Sequence, residues 1–302
     1  MLKRTLKLMK YDLGAMVKYW WVVALITPIA ALAAALLYRG YFETTVSMAD
    51  SLFDNMHPLF YILLLFFTMA EMIGAQVAMI IFAVTATATQ IIVFIRFFKH
   101  FYTDEGYLTF TLPVSRRELY ISKVLSSMIV IVAQQCIMTV CILLMALIAP
   151  PTDYGLWVFE PEMWADIFEW MKHADFWGIL ALLLVNGAVC IFIALGSIFT
   201  DLTLIQMCIT LGSVVAKRGK VFVGIGFWYV LSYVFSGVIS LLTTAFYFLF
   251  IASLPFIFEL TVYHFLFGCI PLLIMIAAIF WAFGFLFYNI TQALIDKKLN
   301  LA

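Results

Sequence analysis

Five polar residues set inside otherwise apolar runs are the candidates for chemistry in this chain: Thr87, Gln90, Gln134, Asp201 and Gln206. Polar groups are costly in hydrocarbon, so they face protein or a wet path and mark either a transport route or an interhelical hydrogen bond. Asp201 is the costliest of the five. It stands 16 residues before Lys217, about 24 Å of helix, which places it in or near the outer half of a membrane core. Enzyme signatures are missing. The histidines, His57, His100, His173 and His264, lie in four separate segments, and no His-Glu-x-x-His pair or Gly-x-Ser-x-Gly elbow occurs. The nearest thing to a phosphate loop, Gly212 to Lys220, has six residues between its glycines and Val221 where Ser or Thr is needed. Gly224-x-Gly226 opens an apolar helix and reads as a packing motif. The expectation is a chain with no catalytic site, no metal and no cofactor of its own, and nothing points to nucleic acid.

The elements that carry these residues follow from composition. Of 302 residues, 66% are hydrophobic and 11% charged, against about 45–50% and about 25% in a soluble domain. That excess has to face lipid. A span needs about 20 mostly apolar residues, and six runs qualify: Tyr19–Tyr38, Leu59–Ile95, Ile121–Ala149, Phe176–Val215, Val221–Ala252 and Phe265–Ala293. Leu59–Ile95 and Phe176–Val215 exceed one crossing. Each is read as a single span with an extension, because a hairpin in only one of them would break the charge pattern. Five cysteines, Cys136, Cys141, Cys190, Cys208 and Cys269, all sit in apolar runs and do not suggest a disulfide framework. The fold class is all-α: a polytopic membrane protein of six transmembrane helices with an N-terminal amphipathic interfacial helix.

Lys and Arg crowd alternate connections. Only Arg39 and Lys172 of the 17 fall elsewhere, so the positive-inside rule puts both termini in the cytoplasm of a multi-pass plasma-membrane protein. Residues 1–18 carry Leu2, Leu6, Met9, Leu13 and Met16 at helical spacing among lysines, which reads as a basic helix on the inner leaflet. Residues 19–302 form the transmembrane domain, with outer loops 39–58, 150–175 and 253–264. The loop 150–175 is acidic and holds an amphipathic segment, Trp164, Ile167, Phe168 and Met171. Membrane anchor and pathway lid both suit it. Met48, Leu52, Phe53 and Met56 suggest a smaller counterpart. Ser232, Ser236, Gly237 and Ser240 make a small-residue face on the fifth span.

The inner loop 98–120 is the most structured connection. Asp104, Glu105 and Gly106 read as a turn or a helix stop, and Pro113 forces Leu112 out of helical geometry. Ser115 then caps the next helix with Glu118 three positions on, a capping box. Arg116 and Arg117 sit in its first turn, where the helix dipole disfavours cations. Topology or an acidic partner could each require them.

The run Asp104-Glu105-Gly106-Tyr107-Leu108-Thr109-Phe110-Thr111-Leu112-Pro113-Val114-Ser115, with Ser122-Lys123 and the closing Lys297-Lys298-Leu299-Asn300-Leu301, resembles the signature of ABC type-2 permeases from Gram-positive anaerobes. The resemblance spans the chain, although the outer loops match no pattern. It implies a permease subunit of an ATP-driven exporter, paired with a separate ATP-binding subunit that carries ATP and Mg. It also implies a second permease subunit, as homo- or heterodimer, and coupling through Asp104, Glu105, Gly106, Leu112, Pro113, Ser115, Arg116, Arg117 and Glu118. The cargo expected of an apolar, aromatic-rich path is an amphipathic or hydrophobic peptide, drug or lipid moved by alternating access. Two rivals remain: an ion-coupled carrier using Asp201, and a membrane sensor or partner subunit that transports nothing.

Overall fold

Backbone groups in hydrocarbon have no water to bond, so an apolar run crosses a bilayer as a helix or as part of a closed barrel. All six runs of this chain form helices in the computed structural model, which describes residues 2–51, 58–103, 114–148, 169, 174–216, 219–253 and 262–298. They are α1 (Leu2–Ser51), α2 (Pro58–Tyr102), α3 (Arg116–Ile148), α4 (Ala174–Val215), α5 (Lys220–Ser253) and α6 (Val262–Lys298). Each is long and apolar enough to cross a membrane, and the chain is an all-helical, multi-pass membrane protein.

Both over-long runs are single helices, of 45 and 42 residues, as the charge pattern required. Two boundaries differ from expectation. The basic segment 1–18 is not a separate element, because α1 runs unbroken from Leu2 to Ser51. No proline precedes Pro28, and Gly14 alone does not stop a helix. The expected outer loop 39–58 is likewise helical as far as Ser51. The amphipathic segment Trp164–Met171 lies outside the described residues except for Glu169, as do Leu52, Phe53 and Met56 of the first outer loop.

The chain divides into two units. One comprises Met1–Leu13, Val93–Ile129 and Met171–Ala302. Within it α4 and α6 pack through small residues: Gly196 lies against the Trp281 ring and Gly284 against Phe199. Phe192, Trp281 and Phe199 stack in sequence, with centroids 5.2 and 5.5 Å apart. Leu204, Met207 and Cys208 form a buried cluster against Leu211, Phe227, Leu231 and Phe287. The α4–α5 connection turns at Gly219, whose φ of 72° is the left-handed geometry glycine adopts freely. The other unit, Gly14–Ile92 and Val130–Trp170, is centred on Ala30, Ala31, Phe82 and Cys141, with Ile137, Met138 and Met145 around them.

Candidate functional site

The start of α3 has the expected cap. The Ser115 backbone N–H donates to Glu118 Oε2 at 3.1 Å, and the Glu118 N–H donates back to Ser115 Oγ at 3.2 Å. Two backbone donors that an α-helix leaves without partners are thereby satisfied reciprocally. Glu118 is buried, and the Leu119 N–H closes the first turn on the Ser115 carbonyl at 3.1 Å. Asp104, Glu105, Gly106, Leu112 and Pro113 lie outside the described residues, so of the nine loop candidates the structure places Ser115, Arg116, Arg117 and Glu118.

Arg116 has a partner within its own chain. Its guanidinium donates to the carbonyls of Ile295 and Asp296, at 3.4 and 3.1 Å. These belong to the last turn of α6, where carbonyls lack helical partners and the dipole favours a cation. Arg117 is exposed beside Tyr288. The flanks of the loop are pinned by rings. Phe97 packs on Phe101 at 4.9 Å and on Tyr120 at 6.3 Å, and Tyr120 stacks on Tyr288 at 5.0 Å. Phe101 and Tyr120 are fully buried.

Behind these rings lies a buried ion pair between Asp12 of α1 and Lys123 of α3. Their side chains are 8% and 6% exposed, and His100 Nε2 stands 3.9 Å from the same Asp12 oxygen. Stranding one member of such a pair costs about 3–5 kcal/mol in a protein interior. Sequence reasoning used Lys123 as a topological charge and as part of the Ser122-Lys123 resemblance, and passed over Asp12. The one available signal was a carboxylate within a basic segment.

The five polar candidates do not form one set, because Thr87, Gln90 and Gln134 belong to one unit and Asp201 and Gln206 to the other. Gln134 is buried and committed. Its carbonyl accepts the Trp20 indole N–H at 3.0 Å, while its amide donates to Thr27 Oγ1 at 2.9 Å and Thr85 Oγ1 at 3.5 Å. Thr87 is exposed and Gln90 half-buried. Gln206 is buried, and its amide group makes no hydrogen bond among the described residues.

Asp201 is exposed on α4. In α3 and α6, Arg116 reaches residues 295 and 296 while Tyr120 stacks on Tyr288, so these two helices are antiparallel. Phe192 and Phe199 of α4 meet Trp281 and Phe285 of α6 in the same order, so α4 runs with α6 and, like it, with α2. The Tyr102 hydroxyl bonds Thr210 Oγ1 at 2.8 Å and sets the register. From that level Arg96 is about 9 Å away along α2 and Asp201 about 13.5 Å along α4. The carboxylate therefore lies about 4–5 Å past the level of Arg96 along the helices.

A second carboxylate escaped notice. Glu71, within the apolar part of α2, accepts the Thr44 hydroxyl of α1 at 2.9 Å. Gly40 makes room for it: a Cβ there would stand 2.9 Å from Glu71 Oε1. Nearby, the Gln76 amide donates to the Tyr38 hydroxyl at 2.9 Å, and Arg39 pairs with Glu43 at 2.8 Å. A charge inside an apolar run, four or more residues from either end, was the signal that could have found Glu71.

Comparison with known protein families, with curated proteins and with solved structures finds no match to this chain.

Proposed function

We propose that the chain is the membrane-embedded permease subunit of an ATP-driven exporter. Both termini would lie in the cytoplasm, and coupling would run through the connection between α2 and α3. The observation that carries this reading is how that connection is held. Its first flank is fixed by the buried Phe97–Phe101–Tyr120 cluster and its second by the Ser115–Glu118 box. A loop that passes force between a membrane domain and a partner needs rigid flanks. The other connection at the basic end, from Val215 to Lys220, is too short to form a comparable surface. The resemblance of residues 104–115 to ABC type-2 permeases supports the same assignment.

On this reading the chain hydrolyses nothing itself. A separate ATP-binding subunit supplies ATP and Mg chemistry, and a second permease subunit completes the path. The cargo is amphipathic or hydrophobic, in keeping with a surface that exposes Phe66, Phe222, Tyr229 and Tyr233. Arg117, exposed on the first turn of α3, is the better contact for the partner, since Arg116 already caps α6. The test is copurification of an ATP-binding subunit, expected from the neighbouring reading frame, with cargo-stimulated ATP hydrolysis in nanodiscs. Arg117→Gln should weaken association and steepen its salt dependence, because rim charges act chiefly on association rate. Arg116→Gln should lower thermal stability first. Failure of any ATP-binding subunit to copurify with the wild-type chain would overturn the reading.

A further inference from the structure

We propose that the N-terminal segment Leu2–Leu13 is part of the coupling element, held there by Asp12 acting as a positioning residue through its pair with Lys123 on the α3 flank of the α2–α3 loop. The coupling role rests on the transporter reading above; the fastening of the segment does not.

One carboxylate stands where three pieces of chain meet. Asp12 on α1 pairs with Lys123 on α3 and lies 3.9 Å from His100 near the end of α2. His100 and Lys123 stand on the two helices that enter and leave the loop. Both charged side chains of the pair are more than nine-tenths buried. Opposite charges so far from water do not separate without stranding one of them, so the pieces that carry them move together. The packing of α1 changes at the same place. Residues up to Leu13 group with Val93–Ile129, and residues from Gly14 onward belong to the other unit.

The faces of the segment agree. At 3.6 residues per turn, Thr5, Met9 and Asp12 share one side of α1, within about 80° of arc. Asp12 is buried, and Thr5 and Met9 are half-buried. Lys7 and Lys10 fall on the opposite side and are exposed. Leu6, part of the apolar stripe expected to lie in lipid, is 48% exposed. The segment thus turns its Asp12 face to protein and its lysines outward, next to the flanks of the loop.

Trypsin reports the fastening without any ATP-binding subunit. In full-length chain reconstituted in nanodiscs, Lys7 and Lys10 sit in a held helix and should be cut slowly. Asp12→Asn or Lys123→Gln should raise cleavage there at least tenfold. The reversed pair, Asp12→Lys with Lys123→Asp, should restore protection. Should the single variants fail to fold, Asp12→Ala with Lys123→Ala strands no charge, removes the contact and should still release the segment. Wild-type cleavage rates in the folded single variants or in the double-alanine variant would overturn the fastening. The second readout is ATP hydrolysis by the copurified subunit. Variants that release the segment should lose cargo stimulation, and the reversed pair should regain it. A released segment with unchanged stimulation would overturn the coupling role. Loss of all ATPase association in the wild-type chain would instead remove the transporter reading, and the trypsin result would still decide the fastening.

Discussion

Replacing Gly212 with alanine probes a close backbone approach between α4 and α5. An added Cβ would stand 2.5 Å from the Gly224 nitrogen, 2.7 Å from Gly224 Cα and 2.7 Å from the Lys220 carbonyl oxygen. All three obstacles are backbone, so no side chain can swing clear. Carbon contacts become comfortable only near 3.5 Å, so α4 and α5 must part by about 1 Å. Overpacking of this kind costs about 1–3 kcal/mol, and the better helix propensity of alanine offsets about 1 kcal/mol. With three rigid obstacles the cost sits at the upper end, for a net loss of about 2 kcal/mol. Two neighbours serve as controls. At Gly224 the added atom meets Cys208 O and Ile209 Cα at 3.3 Å, a clash of a few tenths of an ångström, so Gly224→Ala should be near neutral. At Gly226 it meets nothing within 4 Å, so Gly226→Ala should stabilise by up to about 1 kcal/mol. Denaturant unfolding in micelles, followed by helical circular dichroism, gives the order directly. Equal losses at Gly212 and Gly226 would refute the argument and with it the α4–α5 crossing.

Two further substitutions test the polar positions. Gln134→Leu removes two well-formed interhelical bonds worth about 0.6 kcal/mol each in a membrane protein, so it should cost at least about 1 kcal/mol in the same unfolding assay; the loss should shrink in a Trp20→Phe background, and an unchanged loss there would refute the Trp20–Gln134 bond. Asp201→Asn should leave the unfolding midpoint unchanged, since the exposed carboxylate has no partner among the described residues; a large drop would make it a packing residue.

What the sequence disclosed and what it concealed divide by distance along the chain. The capping box was readable because Ser115 and Glu118 are three residues apart, and local geometry alone brings them together. The six spans were readable because run length and charge alternation are one-dimensional properties. Asp12 and Lys123 are 111 residues apart, and neither residue type reveals that it is paired. For Arg116 the sequence left topology and an acidic partner open; within the chain its guanidinium meets the carbonyl end of α6. Separation of 179 residues put that answer out of reach.

The same division explains why a count of polar residues overstates a transport path. Hydroxyls in these helices mostly return to their own backbone. Thr27 donates to the Val23 carbonyl, Thr203 to Phe199 and Thr210 to Gln206, all within 3 Å. Each is a local bond that satisfies the hydroxyl while leaving the residue compatible with lipid or tight packing. Threonine in an apolar run is therefore weak evidence for a wet surface. Groups too long or too charged for that local solution are the informative ones. Asp12, Glu71 and Gln134 each bond across helices, and Thr210, which donates locally, also takes the Tyr102 hydroxyl from α2. Asp12 and Thr210 tie together elements of the unit that holds both flanks of the α2–α3 loop. Cross-helix polar bonding at that end is what a rigid force-bearing connection requires, whereas a solute path would leave such groups unpaired along an open face.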